Sequence, residues 1–223
     1  IMQAMNPQIM KAEGSGERDR MIHLSEQASK YAFLLLAMVA LPLIAEMDTL
    51  LELWLTDVPE HASMFCRFIL IAALCDQISV GLTSANQAIG NIKVYSIVFY
   101  TLKLLVVIIG WICLKQGLPM TSIMWCYVGI ELFTSLIRLP LMKHIAGIHV
   151  MDFCKNVFAR IIVPLIVMSI TCYLSIQRID IPVRILLTFF TSCTMGAIAI
   201  WLTSLTKEEK AYLKSLIIRI NAK

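Results

Sequence analysis

Apolar residues run in long blocks broken by short polar intervals, and these blocks predict six membrane-crossing helices. A helix needs about 20 apolar residues, at 1.5 Å each, to span a ~30 Å hydrocarbon core. The blocks are 31–45, whose helix begins a turn or more upstream, then 63–85, 94–114, 121–142, 158–176 and 183–205. Pro42 and Pro164 are expected kinks. A turn with Asp57, Pro59 and Glu60 separates the first two blocks, Gly90 to Lys93 the next two, and Gly117 with Pro119 a hairpin after the third, where Thr121 is placed to cap.

The second block is not uniformly apolar. Ala72, Asp76, Ser79, Thr83, Asn86 and Gly90 share one helical face, and Leu70, Leu74 and Ile78 lie elsewhere. A polar stripe in a membrane helix faces a neighbour or a watery cavity rather than lipid. Ser96, Tyr100 and Lys103 form a stripe in the third block, and Tyr127, Glu131, Thr134 and Arg138 in the fourth.

Depth then selects candidate residues. Arg67 lies about 6 Å below the outer end of its span and can snorkel outward. Asp76 lies roughly 20 Å in, Lys103 about 14 Å and Glu131 about 15 Å into theirs, so Lys103 and Glu131 share a similar depth and Asp76 is about one turn away. An ion at the bilayer centre costs at least ~2.5–3.5 kcal/mol, so each requires a partner or water. Two readings stay open. Lys103 pairs with Glu131 or Asp76 and locks the bundle, or the charges line a cavity where Lys103, with Arg67, attracts an anionic substrate. A proton or cation relay through Asp76 and Glu131 is a third. Asn86 and Gln87 sit at the inner end, as helix caps or part of a gate.

Composition agrees with the pattern. The chain is 59% hydrophobic and 15% charged, against roughly 45–50% and 25% for soluble domains. Its mean hydropathy is +0.79. The net charge of +4 reflects sidedness rather than nucleic-acid affinity. With alternate loops on one side, fourteen Lys and Arg fall on one face and Lys115, Arg178 and Arg184 on the other. Cytoplasmic loops are the basic ones, so both ends of the chain are expected to be cytoplasmic. The seven cysteines lack metal or redox spacing and read as reduced apolar residues. No histidine lies deep. Trp54, Trp111, Trp125 and Trp201 suit interfacial anchoring.

The opening residues read like the end of an earlier span running into a loop, which predicts a fragment of a longer protein. Residues 143–157 read as a mixed loop. In the sixth block Thr188, Ser192, Met195 and Gly196 form a packing face of mostly small residues. The tail opens with Thr206 and Glu209 at capping-box spacing. Leu213, Leu216, Ile217 and Ile220 then predict a basic amphipathic helix on a membrane surface.

Three stretches carry a family resemblance: NPQIMKAEGSGERDRM, the LWL-x-x-VPEHA segment and SANQAIGNIKVYS. With the tail LTKEEKAYLKSLI, they resemble the carboxyl half of a bacterial O-antigen type polysaccharide flippase, of the multidrug/oligosaccharidyl-lipid/polysaccharide exporter superfamily. The resemblance covers most of residues 5–215. It implies an all-α integral membrane protein of twelve to fourteen helices in two lobes, working by alternating access in the bacterial inner membrane. Its substrate would be an undecaprenyl-diphosphate-linked oligosaccharide. On this reading 1–30 is the end of an earlier span plus a cytoplasmic loop, and 31–142 four helices of the second lobe. Residues 143–157 are a cytoplasmic loop, 158–205 two additional spans, and 206–223 the cytoplasmic tail. The partners implied are the lipid-linked oligosaccharide, membrane lipids and the missing N-terminal half.

The family has no strict catalytic signature, so Lys103, Asp76, Glu131, Arg67, Asn86 and Gln87 come from depth and helical face alone. No catalytic or metal residue and no cofactor is expected, although Na⁺ or H⁺ coupling is compatible. No GxxxxGK[ST] loop is present for ATP. The alternatives are a cation-coupled multidrug exporter, a membrane glycan polymerase or acyltransferase, and a structural subunit with internally paired charges. The short external loops and the lack of a deep histidine disfavour the enzymes.

Overall fold

The computed structural model describes residues 2–90, 92–178, 184–206 and 209–211, and every regular element among them is helical. Helix α1 covers Met2–Gly14, α2 Arg18–Ala45, α3 Met47–Trp54, α4 Ala62–Gln77 and α5 Val80–Ile89. Then come α6 Ile92–Lys115, α7 Met120–Ala146, α8 Val150–Phe153, α9 Ala159–Arg178 and α10 Arg184–Ala199. Wider π-helical turns lead into α9 at Cys154–Phe158 and follow α10 at Ile200–Ser204. Five helices are long and apolar enough to cross a bilayer, or six if α4 and α5 form one bent span. The chain is a helical, multi-pass membrane protein.

The structure redraws four local expectations. The second span is broken: α4 and α5 meet at a 46° bend at Ile78 and Ser79. Helix α7 starts one residue earlier than Thr121, with Pro119 in extended conformation at its N-cap. Its fixed φ stops the preceding turn, and its missing N–H costs nothing at a helix start. The expected loop at 143–157 is mostly helix, turned at Gly147 in the left-handed conformation and resumed at Val150. In the sixth span Thr188, Ser192 and Gly196 are buried, but Met195 is exposed and leaves the packing face.

The break in the second span is held by contacts with a neighbouring helix. Gly81 lets α5 press against α2, where a Cβ would meet the Ser25 carbonyl oxygen at 1.9 Å. The Gly81 N–H donates to Ser29 Oγ at 2.9 Å. Backbone groups freed inside a membrane need such partners, because lipid supplies none.

Packing divides the bundle into two apolar clusters. One, toward the basic end, joins Ile9 of α1, Met21 of α2, Leu82 of α5, Met142 of α7 and Phe153 of α8. The short α1 is thus an integral part of this chain's core, and Ser84 of α5 donates to its Asn6 Oδ1 at 2.7 Å. The other joins Phe33, Leu34 and Ala37 of α2 to Leu74 of α4 and Ile161 and Met168 of α9. Helix α6 differs: only 17% of its most apolar window is buried. Its Leu104, Val107, Ile108 and Trp111 point outward, while Tyr95 and Phe99 are buried.

Charge pairs close both ends. Toward the basic end Lys30 Nζ bonds both Glu209 oxygens at 2.8 and 2.9 Å and the Ser204 carbonyl at 3.3 Å. The capping box is formed: Thr206 N–H donates to Glu209, and Glu209 N–H to Thr206 Oγ1. At the opposite end Arg184 clasps buried Glu46 and reaches Thr49, tying α10 to the end of α2. The rest of the expected amphipathic tail lies outside the described residues.

Candidate functional site

The three polar stripes converge. Helix α7 lies against both α4 and α6, so its inward face meets the polar face of each. Lys103 Nζ stands 2.9 Å from Glu131 Oε2 and 3.8 Å from Asp76 Oδ1. Arg138 Nη2 donates to Asp76 Oδ1 at 2.8 Å. Two cations and two carboxylates from three successive spans therefore form one network, with Glu131 and Arg138 buried. Pairing of Lys103 with Glu131 or Asp76 was one of the open readings; the structure brings Lys103 near both, Glu131 nearer.

Arg138 is the residue that sequence reasoning placed on the Glu131 stripe but left out of the candidate site. It counted among the cations at the cytoplasmic end, yet it is buried within the bundle. The signal was its place two helical turns beyond Glu131 on one stripe. From α7 its Nη1 donates to the Asp76 carbonyl at 3.3 Å and to Ser79 Oγ at 3.2 Å. It thus holds both sides of the break, answering a carbonyl at the end of α4 and the hydroxyl before α5. Ser79 Oγ lies 2.8 Å from Ser135 Oγ of α7, and the Phe99 ring covers the guanidinium at 5.4 Å.

Beside this network a cavity of about 190 Å³ opens between α5 and α6. That is room for about six waters at ~30 Å³ each. Its lining includes Asp76, Thr83, Tyr95, Tyr100, Lys103 and Arg138. The expected residues Asn86 and Gln87 also line it, and their carbonyls accept the Gly90 N–H that ends α5. They thus stand at the end of α5 and on the cavity wall. Thr83 Oγ1 and the Tyr95 hydroxyl lie 2.8 Å apart and brace α5 against α6.

Arg67 is the correction. Its Nε donates to the Ile44 carbonyl at 3.0 Å and its Nη2 to Asp48 at 2.6 Å. It snorkels to the α2–α3 corner, as its depth predicted, and is absent from the cavity lining, so it is no partner of Lys103 there. Outside the spans, hydrogen bonds from Ser63 and then Arg67 hold the Asp48 carboxyl below its ordinary value.

Among the described residues no group of three His, Cys, Asp or Glu side chains is placed to hold a metal. The cysteines are all free thiols. The arrangement offers hydrogen bonds and exchangeable ion pairs in a low-dielectric slab, where pairing is strong and unpairing costly. Compared with models of known protein families, with curated proteins and with solved structures, the chain matches none.

Proposed function

We propose that the chain is part of a bacterial inner-membrane flippase that moves a lipid-diphosphate-linked oligosaccharide between leaflets by alternating access. The observation that carries this reading is the cavity's charge. Its lining holds Lys103 and Arg138 but only Asp76 as a carboxylate; Glu131, 2.9 Å from Lys103 and outside the lining, balances the network as a whole. Two cations on a polar wall, once released from their carboxylates, lower the cost of bringing a diphosphate into a low-dielectric region. The exposed apolar surface of α6 beside it leaves a lipid tail in contact with hydrocarbon. The sequence resemblance supplies the substrate class, with both chain ends cytoplasmic and an N-terminal lobe completing the path. A multidrug exporter for cations fits this wall less well. Protonation of Asp76 or Glu131, or Na⁺ capture there, would free a cation for the head group and couple transport to an ion gradient.

One observation favours a second reading. Every charge of the network already has an oppositely charged partner within 4 Å, as a bundle lock in a structural subunit requires. Replacing Lys103 separates the two. In a host that depends on this protein for surface glycan, Lys103→Ala is expected to abolish most glycan while the protein accumulates normally. Reduced accumulation, with glycan falling only in proportion to it, would leave only the lock.

A further inference from the structure

Two of the chain's arginines hold a carboxylate at two points, whereas Arg138, like Arg67, holds its own at one. Arg184 uses its Nε and Nη2 together on Glu46, at 2.9 Å each. Arg18 does the same with Glu13. This is the two-point grip for which the guanidinium edge is shaped. Arg138 grips Asp76 only through Nη2, its side chain also meets the Tyr95 hydroxyl, and its buried Nε–H makes no well-formed hydrogen bond among the described residues. A buried donor left unpaired is costly, and such groups call for an explanation.

The surroundings supply one. Arg138 lines the cavity between α5 and α6, and its far nitrogen, Nη1, is fixed on the Asp76 carbonyl and Ser79. Phe99 covers one face of the guanidinium, so its orientation is set before anything binds. The half-used Nε–Nη2 edge is therefore pre-oriented. Asp76 has a second cation to turn to, because Lys103 is 3.8 Å from the same oxygen that Arg138 holds.

We propose that the Nε–Nη2 edge of Arg138 is the two-point ligand for a phosphate group in this cavity, and that Asp76 is an internal placeholder the phosphate displaces. This rests on the transport reading above and adds the residue that recognises the head group. On entry, two phosphate oxygens take Nε–H and Nη2–H, and the Asp76 carboxylate shifts to Lys103. The Nη1 bonds to the Asp76 carbonyl and Ser79 stay in place. Lysine cannot substitute, since an ammonium offers no planar pair of donors.

The placeholder makes an unusual prediction: removing a charged residue of the site improves binding. The test uses the purified protein in lipid nanodiscs, with farnesyl diphosphate, inorganic pyrophosphate and farnesol as probes in equilibrium titrations. Farnesyl diphosphate is expected to bind Asp76→Asn about tenfold tighter than the parent, and Arg138→Lys about tenfold weaker, with farnesol insensitive to both. Asp76→Asn keeps a neutral side chain of the same size, so the test stands even if Arg138→Lys fails to fold. Pyrophosphate following the same order as strongly would support the phosphate site with a free anion as its ligand; weak pyrophosphate binding in that order would support the site with a lipid-borne phosphate. Parent binding that neither substitution changes, or weaker binding by Asp76→Asn, overturns the role of Arg138 and leaves the transport reading standing. Failure of every form to bind either phosphate probe overturns both.

Discussion

Arg138 on α7 and Asp76 at the end of α4 are joined twice, through the carboxylate at 2.8 Å and through the backbone carbonyl at 3.3 Å. One side chain thereby answers both a half-buried carboxylate and a backbone group at the bend. Losing a hydrogen bond to a charged group costs about 1.5–3 kcal/mol, and Lys103 remains 3.8 Å from Asp76 to limit the loss. Arg138→Gln is expected to lower thermal stability in detergent by that order, and the double variant Arg138→Gln/Asp76→Asn to recover part of it. A double variant no better than the single would mean that the carbonyl and Ser79 bonds, not the charge pair, dominate.

Gly81 sets the angle at which α5 meets α2. A methyl group there would lie 1.9 Å from a backbone oxygen that no side-chain rotation can move. Overpacking of this kind costs about 1–3 kcal/mol. Gly81→Ala is expected to loosen the α2–α5 contact and lower the melting temperature. Gly129, whose added Cβ would meet nothing within 4 Å, is the control, and Gly129→Ala is expected to leave stability near the parent value. Equal melting temperatures for the two variants would refute the tight approach at Gly81.

Glu209 ties the start of the tail to α2 in a pH-dependent way. Burial pushes its carboxyl up, but the Lys30 ammonium, the Thr206 N–H and the Tyr31 hydroxyl together hold it below its ordinary value of 4.5. A lowered acid contributes its full share above 4.5 and loses it as the pH falls through the depressed value. A spin label at Ala211→Cys is expected to stay immobilised from pH ~7 to below ~5 and to gain mobility in more acidic buffer. Glu209→Gln should be mobile throughout. A label equally mobile at neutral pH in both forms would show that this contact does not hold the tail.

Sidedness rests on the distribution of Lys and Arg. In a background without native cysteines, a membrane-impermeant maleimide applied from outside is expected to label His61→Cys and to miss His149→Cys until the membrane is opened. His61, exposed and left-handed at the start of α4, tolerates such a probe. The reverse labelling pattern would invert the topology.

Much of this protein was legible in the order of its residues. Apolar blocks of bilayer length define the spans, since lipid accepts only helices that satisfy their own backbone. The stripes through Asp76, Lys103 and Glu131 required polar company, and depth placed those residues together, because a charge cannot face acyl chains. Arg67 was read as snorkelling for the same reason, and the structure agrees, although it removes Arg67 from the cavity. What the one-dimensional pattern did not decide was where helices bend and which charge takes which partner. The break at Ile78 and Ser79 depends on Gly81 meeting α2 and on Arg138 arriving from α7, contacts between residues more than fifty positions apart. Helical periodicity reports only the face a side chain occupies on its own helix. The partner across the gap is set by crossing angle and depth, and these exist only once the helices have packed.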